Sequence, residues 1–153
     1  MNRKELFEKL NSLKLDKEKY YVLSGASLLA QNIVDHAKDI DIACDKEIYD
    51  NLDWKSKVGA LGKEIKSFDC FEISYNLYER KDDVIKIDGF NFANLENILY
   101  VKLLLNRKSD KEIIEKLKSI IKKWENTYVR LCYSYNPKKS TNKHGGFILF
   151  KIF

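Results

Sequence analysis

Asp39 and Asp41 are the residues of this chain best suited to chemistry. They stand in the run Lys38-Asp39-Ile40-Asp41-Ile42. That run reads as a strand, where side chains alternate faces with period two, so both acids point one way while Ile40 and Ile42 pack behind them. Two carboxylates held side by side repel each other unless a cation sits between them. Oxygen-only ligation suits a hard divalent ion, and Mg²⁺ takes one or two protein carboxylates and leaves its other positions to water and substrate phosphates. The pattern points to Mg²⁺ or Mn²⁺ and to a phosphate-bearing substrate.

The segment upstream supplies the other half of such a site. The apolar run Tyr21-Val22-Leu23 opens into Ser24-Gly25-Ala26-Ser27, and Lys38 follows Gly25 by 13 residues. With no side chain, Gly25 lets a phosphate approach the backbone closely. The N–H groups at the start of a following helix, expected from Ala26 to Ile33, would point at that phosphate with a favourable dipole. Ser24 and Ser27 add hydroxyl donors. Taken singly, an Asp-x-Asp is most often a solvated strand end and a Ser-Gly-Ala-Ser a plain turn; their order and spacing give the pattern its content.

In that order and spacing the chain resembles the minimal nucleotidyltransferase superfamily, whose signature is an apolar strand, a Gly-Ser or Gly-Gly turn and, about a dozen residues on, an apolar-flanked Asp-x-Asp or Asp-x-Glu. Downstream, Ile87 to Lys102 resembles the strand, turn and lysine-ending helix of its abortive-infection toxin branch and related small bacterial enzymes. Asn106-Arg107-Lys108-Ser109-Asp110 resembles that branch's Arg-x-x-Asp. The likeness runs from Tyr20 to Leu117. The chain departs from the pattern at Ala26, where a second Gly or Ser is usual, and at His36, which holds the place of a basic residue three before the first Asp, with Lys38 next to Asp39.

The resemblance implies transfer of an NMP unit from an NTP to a hydroxyl acceptor. That acceptor would be an RNA 3′ end such as that of tRNA, a protein side chain or a small molecule such as an antibiotic, in a toxin–antitoxin or resistance setting. It also implies a third acid. In Phe71-Glu72-Ile73-Ser74-Tyr75 the apolar Phe71 and Ile73 face one side, which puts Glu72 and Ser74 on the other, so Glu72 is the candidate, although Asp is commoner there in the family. The expected catalytic and metal residues are therefore Asp39, Asp41 and Glu72. Ser24, Gly25, Ala26, Ser27, Lys38, Lys102, Arg107 and Asp110 are the expected nucleotide contacts. Lys102 lies in so apolar a run that it must either snorkel outward or meet an anion such as a triphosphate.

The remaining residues set the frame. A chain of 153 residues, 44% hydrophobic and 33% charged, suits one domain with one moderate core. No apolar run approaches the roughly 18 residues a membrane span requires, and no signal-peptide h-region is visible, so a cytoplasmic protein without membrane contact is expected. Three cysteines, Cys44, Cys70 and Cys132, without any Cys-x-x-Cys read as reduced core thiols. The formal charge of +5 favours approach of polyanions, though most lysines alternate with Glu and Asp as on solvated helix faces.

Periodicity predicts helices over Arg3–Leu13, after Gly25, from Asp45 to Asp53, from Asn94 to Asn106 and from the Ser109-x-x-Glu112 capping box onward. It predicts strands over Tyr20–Leu23, Asp39–Cys44, Lys63–Phe68, Cys70–Tyr78 and Val84–Ile87, and a further one over Tyr128–Tyr135. Together these describe an α/β (α+β) domain with a nucleotidyltransferase-like mixed sheet flanked by helices. Its core would span 20–93, its C-terminal helical layer 94–126, and a terminal β-hairpin or tail 127–153. Two other readings stand beside the enzyme: a binding or regulatory protein that keeps the fold without turnover, favoured by Ala26 and by the third acid being Glu, and a basic RNA-binding module. The latter would use Tyr133 and Tyr135 beside Lys138, Lys139 and Lys143. His144 reads as part of a turn. A chain this short leaves little room for an acceptor domain, so the acceptor brings its own surface or a second subunit completes the cleft.

Overall fold

The computed structural model describes residues 1–60, 62–75 and 83–134, with side chains described through residue 124. The chain divides into two compact units, Met1–Ile121 and Lys122–Phe153. The first unit is mixed α/β, built on a seven-stranded sheet whose order is β3-β4-β5-β2-β1-β7-β6. The strands are β1 Tyr20–Val22, β2 Ile40–Cys44, β3 Lys55–Val58, β4 Glu64–Phe68, β5 Phe71–Ser74, β6 Val84–Ile87 and β7 Phe90–Ala93. The helices are α1 Arg3–Ser12, α2 Ser24–Ala30, α3 Lys46–Asn51, α4 Leu95–Leu105 and α5 Lys111–Ser134, the last crossing the boundary between the units.

Local chemistry sets the helix starts. Asn2 and Glu5 close a reciprocal capping box at α1, and the Asp45 and Asn94 side chains accept from the N–H groups of Ile48 and Asn97 to open α3 and α4. Before α5 the chain makes a short 3-10 turn, Lys108–Asp110, so the helix begins later than its Ser109 box implied.

Period-two alternation divides the central strands between two cores. On one face Tyr20, Val22, Ile40, Ile42, Phe71, Ile73, Phe90 and Phe92 pack with Leu6 and Leu10 of α1 and with Ala26, Leu29 and Ala30 of α2. On the other, Tyr21, Ala43 and Ala93 pack with Leu95 and Ile98 of α4 and Leu117 of α5. Asp41 belongs to this second face by parity, with Ile40 and Ile42 buried behind it as expected.

Other elements also differ from expectation, among them strand β7, Phe90–Ala93, over which periodicity predicted no strand. Helix α2 begins at Ser24 rather than after Gly25. Strand β3 carried no sequence signal, because Lys55-Ser56-Lys57-Val58 is exposed at every position and so lacks alternation. The strand expected over Tyr128–Tyr135 is instead helix through Ser134, since no Gly or Pro interrupts the chain between Lys111 and Ser134. The second half of the expected terminal hairpin and the end of the Cys70–Tyr78 strand lie outside the described residues.

Candidate active site

Leu23 follows β1 directly and still touches β2; its N–H donates to the Asp41 carbonyl at 2.8 Å. Immediately beyond it Ser24 turns the chain into α2 with φ +54°, a left-handed conformation unusual for a residue with a side chain. That turn brings the Ser24 hydroxyl to Asp41, whose carboxylate accepts its hydrogen bond. The loop that follows α2 is tied down where Ala37 N–H donates to Met1 O at 3.1 Å and Ile40 N–H to Cys70 O at 2.8 Å. It delivers His36, Lys38 and Asp39 to the mouth of the same region, with β2 starting one residue after Asp39.

Strand β5 lies parallel to β2 with Asp41 opposite Glu72 and Ile42 opposite Ile73. Glu72 therefore shares the Asp41 face, the placement that the parity of Phe71 and Ile73 predicted. Along α4, Lys102 turns toward this face, and Arg107 and Asp110 come from the turn between α4 and α5.

These residues line one cavity of about 640 Å³ within the first unit. Ser24, Gly25, Lys38, Asp39, Asp41, Glu72, Lys102, Arg107 and Asp110 are all on its walls, and so is His36. Leu23, Ile42, Ile65, Ile73, Val101 and Leu105 give it an aliphatic side, and Gly59, Ala60 and Lys63 from the β3–β4 connection add a third wall. An added Cβ at Gly25 would meet nothing nearer than the Ala37 Cβ at 3.9 Å. The absent side chain thus leaves open space in the cavity that the fold itself does not require.

Charge is concentrated here. Burial, then the neighbouring charges of Asp39 and Glu72, push the Asp41 carboxyl up to about 6, against the Ser24 hydrogen bond and the positive charge of Arg107. Glu72 has a partner of its own, because Lys57 of β3 reaches it with Nζ 2.5 Å from Oε1. Lys102 also meets a protein anion: its Nζ is 2.7 Å from Asp110 Oδ1, and the side chains are only 12% and 13% exposed. The other carboxylate oxygen of Asp110 is buried with no hydrogen-bond partner among the described residues.

The donor set of Asp39, Asp41 and Glu72 suits a hard divalent cation, since all three offer carboxylate oxygen and their mutual repulsion is what such an ion relieves. Among the described residues, no three His, Cys, Asp or Glu side chains stand close enough together to cage a metal ion between them. An ion that retains waters and substrate phosphates needs no such cage.

Two expected contacts lie elsewhere. Ala26 is buried in the core. Ser27 is fully buried, its hydroxyl donating to the Ala93 carbonyl at 2.8 Å and accepting from Gln31 Nε2 at 3.1 Å. The hydroxyl expected to face phosphate instead pins α2 to β7. Sequence reasoning missed Lys57, Lys63 and Ser74. Ser74 shared the parity that selected Glu72; Lys57 sits in a strand without periodic signal, and Lys63, expected to open a strand, stands in the turn just before β4. The side chains of Tyr133, Tyr135, Lys138, Lys139, Lys143 and His144 lie outside those described. No helix among the described residues is long and apolar enough to cross a membrane. No protein-family model, curated protein or solved structure matches this chain.

Proposed function

We propose that this protein is a nucleotidyltransferase that uses Mg²⁺ or Mn²⁺ to transfer an NMP unit from an NTP to a hydroxyl acceptor. The single observation that carries this reading is the convergence of Asp39, Asp41 and Glu72 with Gly25, Lys38, Lys102 and Arg107 on one cavity. Its volume of about 640 Å³ falls in the range of roughly 300–1,000 Å³ usual for small-molecule sites.

Asp39 and Asp41 would hold the cation, which when bound neutralises triphosphate oxygens and raises the electrophilicity of the α-phosphorus. Gly25 leaves room for the phosphates beside the backbone. Arg107 and Lys38 place positive charge at the cavity wall, where a polyphosphate would compensate it. The acceptor hydroxyl gives its proton to Glu72 as its oxygen bonds the α-phosphorus in line; the bond to the β-phosphate bridging oxygen breaks, and pyrophosphate leaves with the electron pair. The acceptor is an RNA 3′ end, a protein hydroxyl or a small molecule.

A second reading, a nucleotide-binding protein without turnover, is favoured by one specific contact: Lys57 occupies Glu72. Incubating the protein with labelled NTPs, Mg²⁺ and total RNA or cell lysate separates the two. Enzymatic transfer predicts label in an acceptor that disappears in the Asp39→Asn/Asp41→Asn double variant. Label that persists in that variant refutes the site assignment, and nucleotide binding with no label transferred favours the second reading.

A further inference from the structure

We infer that Lys57 is a displaceable internal counter-ion for the cation site: it holds Glu72 in the free protein, and an arriving divalent cation must compete with it for that carboxylate. The inference rests on the metal-site reading above.

Register places Lys57 on the correct face. Lys57 pairs with Ile65 across the β3–β4 ladder, and Ser67, two residues on, pairs with Glu72 across β4–β5. Lys57, Ile65, Ser67, Glu72 and Asp41 therefore share one side of the sheet. From the edge strand Lys57 reaches past β4 to put its ammonium 2.5 Å from Glu72 Oε1.

Glu72 in turn lies opposite Asp41 and acts on it as a like charge. Lys57 thus partly compensates the like charge that Glu72 places beside Asp41. The two side chains are 47% and 31% exposed, and an ion pair so open to water is weak and readily exchanged. A weak pair positioned there sets a threshold for cation binding without blocking it.

Mn²⁺ titration followed by loss of the free-ion electron paramagnetic resonance signal tests this on the full chain. Lys57→Gln is expected to bind Mn²⁺ on the order of fivefold more tightly than the unmodified protein, the effect of removing one partly screened like charge. Lys57→Arg, which keeps the charge, is expected to show no gain. In the Glu72→Gln background, Lys57→Gln is expected to lose most of its effect. Because Lys57 is exposed on an edge strand, its variants are expected to fold, and Lys57→Met provides a second neutral side chain. Unchanged or weaker Mn²⁺ binding in both neutral variants, alongside clear binding by the unmodified protein, overturns the role of Lys57. Absence of Mn²⁺ binding in every form, or binding that survives Asp39→Asn/Asp41→Asn intact, overturns the cation site itself and this inference with it.

Discussion

Asp41 on β2 lies directly opposite Glu72 on the parallel strand β5. Neither strand ladder needs acids there, and the arrangement is costly to the fold. Burial and the charges of Asp39 and Glu72 raise Asp41 from 3.8 to about 6, so the folded protein holds its proton more tightly than the unfolded chain does. Below pH ~4 both states are protonated and nothing is lost. Between about 4 and 6 stability falls as pH rises, and above 6 a constant penalty of about 2–3 kcal/mol remains. Asp41→Asn is therefore expected to stabilise the metal-free protein by roughly that amount at pH 7.5 and by little at pH 4, while abolishing label transfer. Urea unfolding in EDTA at the two pH values checks it; equal effects at both would show that Asp41 is not strained by its neighbours.

Gly25 separates folding from ligand space. Its added Cβ would stand 3.9 Å from the Ala37 Cβ, an ordinary contact, and its backbone lies outside the left-handed region. Gly25→Ala is expected to keep or raise stability, by up to about 1 kcal/mol as an alanine within a helix. Nucleotide affinity is expected to fall at least tenfold, as read by equilibrium dialysis with a labelled NTP.

The two serines of the turn have opposite roles. Ser24 is bent to φ +54° and hydrogen-bonds Asp41, so Ser24→Ala keeps the strain and loses the bond, whereas Ser24→Gly loses both. Ser24→Gly is expected to be more stable than Ser24→Ala by about 1 kcal/mol, and in both the Asp41 titration followed by NMR moves upward. Ser27→Ala removes a buried bond to Ala93 O and is expected to cost about 1–2 kcal/mol with nucleotide affinity unchanged.

Lys102 and Asp110 form a nearly buried pair between α4 and the turn before α5. Lys102→Met leaves an uncompensated carboxylate and is expected to cost about 3 kcal/mol, most of it recovered on adding Asp110→Asn. Nucleotide affinity measured in the stable double variant isolates any direct contact of Lys102 with phosphate from its structural one; recovery of wild-type affinity would confine Lys102 to scaffolding.

Much of the fold was legible because periodicity and caps are local. Asn94 and Asp45 open the helices they were expected to open, and alternation in Ile40–Cys44 and Phe71–Ser74 assigned faces correctly. The signal failed where it is not local or is absent. Strand β3 is all exposed, so its register comes only from pairing with β4. The segment from Tyr128 read as a strand because alternating apolar residues over a short run do not distinguish strand from a continuing helix.

By itself the sequence determined which side chains could share a face: Asp41 on one side of β2 with Asp39 two residues before it, Glu72 on the matching side of β5, and a glycine where room is left just beyond β1. Only the tertiary structure decided who stands next to whom. That Ser24 serves Asp41 while Ser27 serves Ala93, that Lys102 meets Asp110, and that Lys57 reaches Glu72 all follow from sheet order, register and helix packing. Parity names a face, but a neighbour on that face depends on which distant segment the chain closes against it.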